Sequence, residues 1–260
     1  MKLRPDDTPL IHCITNPISI KMCANAILAL GRRPMMAEHP KEVKEITQTA
    51  DAVCVNLGNI TDVRMKSIKI SVKTAEKHGI PVVVDVVGVA CSKLRRKFAE
   101  KLLKKYSASI IKGNYSEILA MYDKTYKSSG VDADKKADID SVKRTSMTLA
   151  RKYGCVVLAS GKTDIITDGK QVVYIKNGCE ALANITGSGC ALGAVCACFL
   201  TEADALEAAT YAAALWGICG ELSGGGIGSF EVGLMNKLSE ISEDEIEKNI
   251  KKEVEYIEKI

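Results

Sequence analysis

The sequence predicts an α/β sandwich organised around a largely parallel sheet. Three observations lead there. Short apolar runs at 52–57, 80–85, 109–111 and 155–159 lack polar–apolar alternation, the pattern of strands buried on both faces. Longer segments with helical spacing fall between them, and such βα alternation lays helices over the sheet. The chain has 260 residues, 47% hydrophobic and 5% aromatic, which suits one large core, so a single domain spanning 1–260 is expected.

Residues 18–30 read as the first helix, stopped near Gly31, and 41–49 as the second. Ala52-Val-Cys-Val-Asn-Leu57 follows as a strand. A helix over 61–77 ends before Gly79, and Ile80-Pro-Val-Val-Val-Asp85 resumes the sheet. The helix at 92–106 leads into the short strand 109–111, 116–123 is a further helix, and 137–153 stops at Gly154 before strand 155–159. The segment 164–175 breaks the alternation: two short strands around Asp168-Gly169 read as a hairpin, a local antiparallel edge on the sheet. Beyond 190 the pattern turns helical, at 191–200, 204–222, 231–241 and 242–260, with a glycine run at 224–226. No linker or repeat interrupts the chain, and the Lys/Asp-rich stretch 124–140 is expected to be exposed.

Charge and composition exclude several classes. The 36 basic and 32 acidic residues are scattered in mixed order to a net +4, without the basic stripe or aromatic interleaving that nucleic acid requires. No apolar run reaches membrane-spanning length, and Met1-Lys-Leu-Arg-Pro-Asp-Asp lacks the apolar core of a signal peptide, so a cytoplasmic location is expected. Most of the ten cysteines sit in apolar segments, where a thiol serves as a small hydrophobe, which suits a reducing compartment. The three histidines are far apart and there is no C-x-x-C pair, so nothing points to zinc.

The chemistry is expected at Asn184-Ile-Thr-Gly-Ser-Gly-Cys190, a glycine turn feeding an apolar helix. Glycines at 187 and 189 allow positive φ and close backbone approach, and the first helical N–H groups point outward unpaired, which favours phosphate. The same glycines would also allow tight packing of a core helix. Ligands of open α/β sheets bind outside the carboxyl ends of the strands, so the residues after each strand are the ones to inspect. They are Asn56 and Gly58, Asp85 and Gly88, Lys112, Asn114 and Glu117, then Ser160 and Gly161. Asp85 and Glu117 are candidates for a hard divalent cation such as Mg²⁺; the plainer alternative is that Asp85 ends a strand and Glu117 sits in a first helical turn. Two nucleotide motifs fail. Ser160-Gly-Lys-Thr163 lacks the upstream glycine of a P-loop, and Gly187-Ser-Gly-Cys-Ala-Leu192 breaks the dinucleotide fingerprint at its third glycine.

Eight segments together carry a resemblance. Pro9-Leu-Ile-His-Cys-Ile-Thr-Asn16, Ala24-Asn-Ala-Ile-Leu-Ala-Leu-Gly31, Pro34-Met-Met-Ala37, Asn56-Leu-Gly58, Val84-Asp-Val-Val-Gly88, Lys112-Gly-Asn-Tyr-Ser-Glu-Ile118, Thr186-Gly-Ser-Gly-Cys190 and Gly228-Ser-Phe230 stand in the order seen in hydroxyethylthiazole kinases. The chain resembles that family over nearly its whole length. The resemblance implies a ribokinase-like three-layer α/β/α sandwich with a largely parallel central sheet. It also implies ATP- and Mg²⁺-dependent phosphorylation of the primary hydroxyl of 4-methyl-5-(2-hydroxyethyl)thiazole, a thiamine-salvage step, by a homotrimer with active sites at subunit boundaries. By position, Asn16, Met36, Asn56, Gly58 and Gly187 would surround the thiazole. Lys112, Asn114, Ser160, Gly161, Gly187, Ser188 and Gly189 would hold the nucleotide, with Asp85 and Glu117 near the metal.

Cys190 would face the alcohol as the catalytic residue, where sugar kinases of the wider superfamily usually place Asp. A helix N-terminus lowers a thiol pKa and neighbouring phosphates raise it, so its protonation state is left open by the sequence. The chain departs from the family pattern at Val86, where Pro is usual, at Lys112, where Arg is common, and at Ser160, where Thr is more common. An ammonium loses the bidentate fork of a guanidinium on phosphate. Two other readings compete: a ribokinase-like kinase for another small alcohol, such as a hydroxymethylpyrimidine or a sugar, and a non-catalytic thiazole or nucleotide binder.

Overall fold

The computed structural model describes residues 2–126 and 138–257. Among the described residues nine strands form one sheet in the order β2-β1-β3-β4-β5-β6-β7-β8-β9. They are β1 (Leu10–Ile14), β2 (Arg33–Met35), β3 (Ala52–Asn56), β4 (Val82–Asp85), β5 (Ile110–Asn114), β6 (Val156–Ser160), β7 (Asp164–Thr167), β8 (Gln171–Ile175) and β9 (Lys252–Tyr256). The first six run parallel and the last three add antiparallel. The expected parallel core of the sheet is therefore present, and its strands carry side chains into two cores. Cys54, Val83, Ile110 and Leu158 point into one, and Val53, Val55, Val84, Ile111 and Val157 into the other. The period-two alternation of side chains makes the sheet the middle of three layers.

The first core is roofed by α1 (Ile20–Ala29), α8 (Ser188–Phe199), α9 (Ala205–Leu222) and α10 (Ile227–Glu240). The second is covered by α2 (Val43–Gln48), α3 (Asp62–His78), α4 (Lys93–Lys105), α5 (Tyr115–Tyr122) and α6 (Ile139–Tyr153). The expected glycine stop after α3 holds at Gly79, which takes φ 68° and receives no contact that a side chain would violate. Helix α8 is apolar on every side and almost wholly buried, as a helix without a polar face must be. Its Ala, Gly and Cys residues keep it thin enough to pass beside Asp85, whose Oδ2 would stand 3.4 Å from a Cβ added at Gly193.

Four expectations need correction. The segment 242–260 is not one helix: α11 (Glu243–Asn249) ends and β9 pairs antiparallel with β8. Lys252-Glu-Val-Glu-Tyr256 alternates polar and apolar residues and gains a full ladder by covering β8, which outweighs its weak helical spacing. The hairpin β7–β8 is therefore not the edge of the sheet. Helix α10 begins at Ile227, not 231. Strands β1 and β2, absent from the predicted strands, close the other end; β2 is a three-residue edge containing Pro34, too short to announce itself. Most of 124–140 lies outside the described residues; Lys124, Thr125, Asp138 and Asp140 are exposed. No helix among the described residues is long and apolar enough to cross a membrane.

Candidate active site

Parallel register brings the strand ends level. Asn56 pairs with Asp85, Asp85 with Lys112, and Asn114 with Ser160, so the predicted rim exists as one row of side chains. A chain of polar contacts runs along it. Asn16, just after β1, donates through Nδ2 to Asn56 Oδ1 at 3.2 Å and to Cys190 Sγ at 3.3 Å. Asn56 Nδ2 donates to Asp85 Oδ2 at 2.9 Å, and Lys112 Nζ stands 3.4 Å from the same oxygen. Gly58 donates its N–H to Asn56 Oδ1 at 2.7 Å, and a Cβ there would lie 2.8 Å from both asparagine side chains. Glycine at 58 is thus a matter of space.

The mouth of α8 faces this row. Gly187 is its N-cap at φ 92°, a left-handed conformation open to glycine, and no side chain caps the helix. The N–H groups of Gly189 and Cys190 have no acceptor among the described residues, since Ala191 is the first to bond within the turn, to Gly187 O at 2.9 Å. Beside them stands the Lys112 ammonium, 3.3 Å from a Cβ placed on Gly189. Two outward N–H groups, a helix dipole and a buried cation converge on one point, which is a place for transferring or bound phosphate.

Glu117 is fixed by backbone. Its Oε1 accepts from Gly88 N and its Oε2 from Asn114 N, both at 2.7 Å, while Asn114 Oδ1 accepts from Glu117 N in a complete capping box. Burial pushes the Glu117 carboxyl up to about 7, with Lys112 pulling the other way. Asp85 is likewise raised by burial and held back by Lys112 and Asn56. Burial works against the Lys112 ammonium, but Asp85 and Glu117 outweigh it, so Lys112 stays charged with its pKa above the ordinary value. Burial first, then Asp85, push the Cys190 thiol up to about 11, which makes it a neutral thiol at neutral pH. No cluster of three or more His, Cys, Asp or Glu suited to a metal occurs among the described residues.

The remaining predicted positions divide. Ser160 Oγ donates to Gly113 O at 3.3 Å, and Gly161 is exposed beside it. The Ser188 hydroxyl is buried and accepts from Trp216 Nε1 at 3.2 Å, while its backbone N–H donates to Ile185 O at 3.5 Å. Met36 stands apart from the polar chain, half-buried just beyond β2 and packed on the first core. Sequence reasoning missed Ser19, whose Cβ is 3.0 Å from a Cβ added at Gly187, and Asp164, buried where β7 begins and accepting from Gly161 N at 3.0 Å. Tyr115 lies inside the motif Lys112–Ile118, which assigns it no role. Spacing offers no sign of any of the three, because each acts across the fold on a distant segment. An open groove of about 370 Å³ adjoins the α8 mouth, lined by Ile18, Lys21, Met22, Ile185, Thr186 and Ile227 among others.

Comparisons with known proteins identify the family. The sequence pattern of the hydroxyethylthiazole kinase family matches residues 2–244. Hydroxyethylthiazole kinase 2 of Clostridium botulinum is 47% identical over 254 residues, 94% of each chain. Hydroxyethylthiazole kinase of Finegoldia magna is 41% identical, covering 93% of this chain and 90% of that one. The solved hydroxyethylthiazole kinase of Pyrococcus horikoshii superposes with a TM-score of 0.88 at 30% identity, over 96% of this chain and 94% of that one. Pyridoxal kinase of Staphylococcus aureus, in complex with AMP-PCP and pyridoxal, shares the fold at a TM-score of 0.70 and 15% identity, over 96% and 100% of the two chains. The chain belongs to the hydroxyethylthiazole kinase family.

Proposed function

We propose that the protein transfers the γ-phosphoryl group of ATP to the primary hydroxyl of 4-methyl-5-(2-hydroxyethyl)thiazole, in thiamine salvage. The observation that carries this reading is the uncapped mouth of α8 beside buried Lys112, with Cys190 at the head of the Asn16–Asn56–Asp85 chain. Phosphoryl transfer demands positioning and charge neutralisation more than covalent help from the protein. The N–H groups of Gly189 and Cys190, with the Lys112 ammonium, neutralise charge on the transferring group. Asn114, Ser160, Gly161 and the turn Gly187-Ser188-Gly189 hold the rest of the nucleotide. Asn16, Met36, Asn56, Gly58 and Gly187 enclose the thiazole.

Cys190 orients the hydroxyl. A neutral thiol, its pKa pushed up to about 11, takes no proton at neutral pH, so the hydroxyl proton leaves late, once the new O–P bond is forming, to a phosphoryl oxygen or to water. Two carboxylates, Asp85 and Glu117, each with an oxygen lone pair left over, suit Mg²⁺, which takes one or two carboxylates and completes its shell with water and phosphate oxygens. Such an ion would supply further charge neutralisation on the phosphates.

The same reading includes a single domain, supported by the continuous nine-stranded sheet, and a cytoplasmic location, which suits ten free cysteines. It includes a homotrimer with active sites at subunit boundaries. Supporting this, Ile18 (66% exposed) and Ile227 (68%) stand exposed on the wall of one groove beside Met22 and Ile185, and Val232 (61%) is exposed further along α10. The test is an ADP-release assay with the thiazole alcohol, hydroxymethylpyrimidine and ribose, each with and without Mg²⁺. Turnover confined to the thiazole alcohol and dependent on Mg²⁺ is expected. Faster turnover of another alcohol would reassign the substrate, and thiazole binding without any turnover would make the protein a binder.

A further inference from the structure

Ser160-Gly-Lys-Thr163 is no P-loop, yet it is held from two sides. Below it lies Tyr115, the first residue of α5, in the turn that carries Glu117. The Tyr115 ring lies under Gly161 so closely that an added Cβ would stand 2.5 Å from its Cζ and 2.6 Å from its Cε1. Its hydroxyl donates to the carbonyl of Thr163. On the other side the Asp164 carboxylate accepts the N–H of Gly161 at 3.0 Å. The ring against Gly161, the O–H on the Thr163 carbonyl and the carboxyl on the Gly161 amide tie the turn at both ends.

We infer that Tyr115 is a positioning residue for the nucleotide, acting through the 160–163 turn. It ties that turn to the Lys112–Glu117 segment, so the two parts of the nucleotide site keep a fixed separation although they belong to neighbouring strands, with Asn114 opposite Ser160. Burial pushes the Tyr115 hydroxyl up to about 12, which keeps it a donor over the working pH range. Gly161 is glycine because the ring occupies the space a side chain would need.

The inference rests on the proposed placement of nucleotide against Ser160 and Gly161, so the experiment separates the two. Steady-state kinetics with ATP and the thiazole alcohol varied independently are measured for Tyr115→Phe, Gly161→Ala, the double variant and Ser160→Ala, together with melting temperatures. Tyr115→Phe is expected to raise KM for ATP about three- to tenfold, the scale of one lost hydrogen bond, with kcat and KM for the thiazole alcohol within about twofold of wild type. Gly161→Ala is expected to raise KM for ATP at least as much. The double variant should be no more than about twofold worse than Gly161→Ala, because a turn already displaced has no clamp left to lose. An unchanged KM for ATP in Tyr115→Phe alongside a raised value in Ser160→Ala overturns the inference and leaves the nucleotide placement standing. No change in Ser160→Ala either overturns both. A fall in kcat and a rise in both KM values in step with the melting temperature also overturns it, since that is the mark of a residue serving stability alone.

Discussion

Lys112→Met isolates the charge at the centre of the site. Lys112 and Asp85 are both buried, with 3.4 Å between Nζ and Oδ2. At that separation the Coulomb attraction is about 5 kcal/mol for an effective dielectric near 20. Asp85 keeps one neutral donor, Asn56 Nδ2 at 2.9 Å, so part of its cost is still met after the ammonium is gone. A destabilisation of about 3–5 kcal/mol is expected, which for a chain of this size lowers Tm by about 6–10 °C. The loss depends on pH with a definite sign. Without Lys112 the buried Asp85 carboxyl, already raised, rises further; a group whose folded-state pKa lies above its unfolded value stabilises at low pH and loses that stabilisation as pH climbs through the folded value. The deficit in Tm should therefore be smaller at pH 5 than at pH 8. Asp85→Asn in the same chain removes the uncompensated charge and should recover most of the Tm at pH 8, while turnover stays low. Losing one preorganised cation should cost kcat about 10²–10³-fold. Thermal melts at both pH values and the ADP-release assay, run on single and double variants, decide the matter. A Lys112→Met protein whose melting point matches wild type at both pH values, or one that Asp85→Asn fails to rescue, would refute the buried-pair argument.

Three further outcomes are expected. Cys190→Ala should lower kcat about tenfold and leave the shape of its pH profile between 6 and 9 intact, because a neutral thiol orients the hydroxyl without taking its proton; a loss above 10³-fold, or a vanished ionisation, would restore Cys190 as a base. With Glu117 pushed up to about 7 by burial, Mg²⁺-dependent activity should rise with pH through that value as the carboxylate forms, and Glu117→Gln should flatten this limb; an unchanged limb would remove Glu117 from the metal's surroundings. A charge placed at one of the exposed apolar positions, as in Ile18→Glu or Val232→Asp, should shift the protein from trimer to monomer in light scattering, with a monomeric wild type refuting the assembly.

Much of this protein was legible in its residues. Unalternating runs such as Val82–Asp85 announce strands buried on both faces, and Gly79 marks where a helix must stop. The run into Gly187-Ser-Gly-Cys190 specifies a helix mouth with outward N–H groups without reference to any other part of the chain, because φ freedom and unpaired N–H groups are local properties. Strand ends bearing Asn56, Asp85, Lys112 and Ser160 could be named as a rim for the same reason. Position 252–256 could not be assigned locally, since its strand exists only because β8 offers a ladder to complete. Tertiary structure alone decided which rim residues touch: Asn16 reaches Cys190 across 174 positions, and Ser188 Oγ accepts from Trp216. It alone raised Glu117 and Cys190, since burial is a property of the assembled cores, and it alone set Tyr115 under Gly161. A sequence fixes conformational preferences over a few neighbouring bonds, whereas proximity, desolvation and shared hydrogen bonds come into being when distant segments pack.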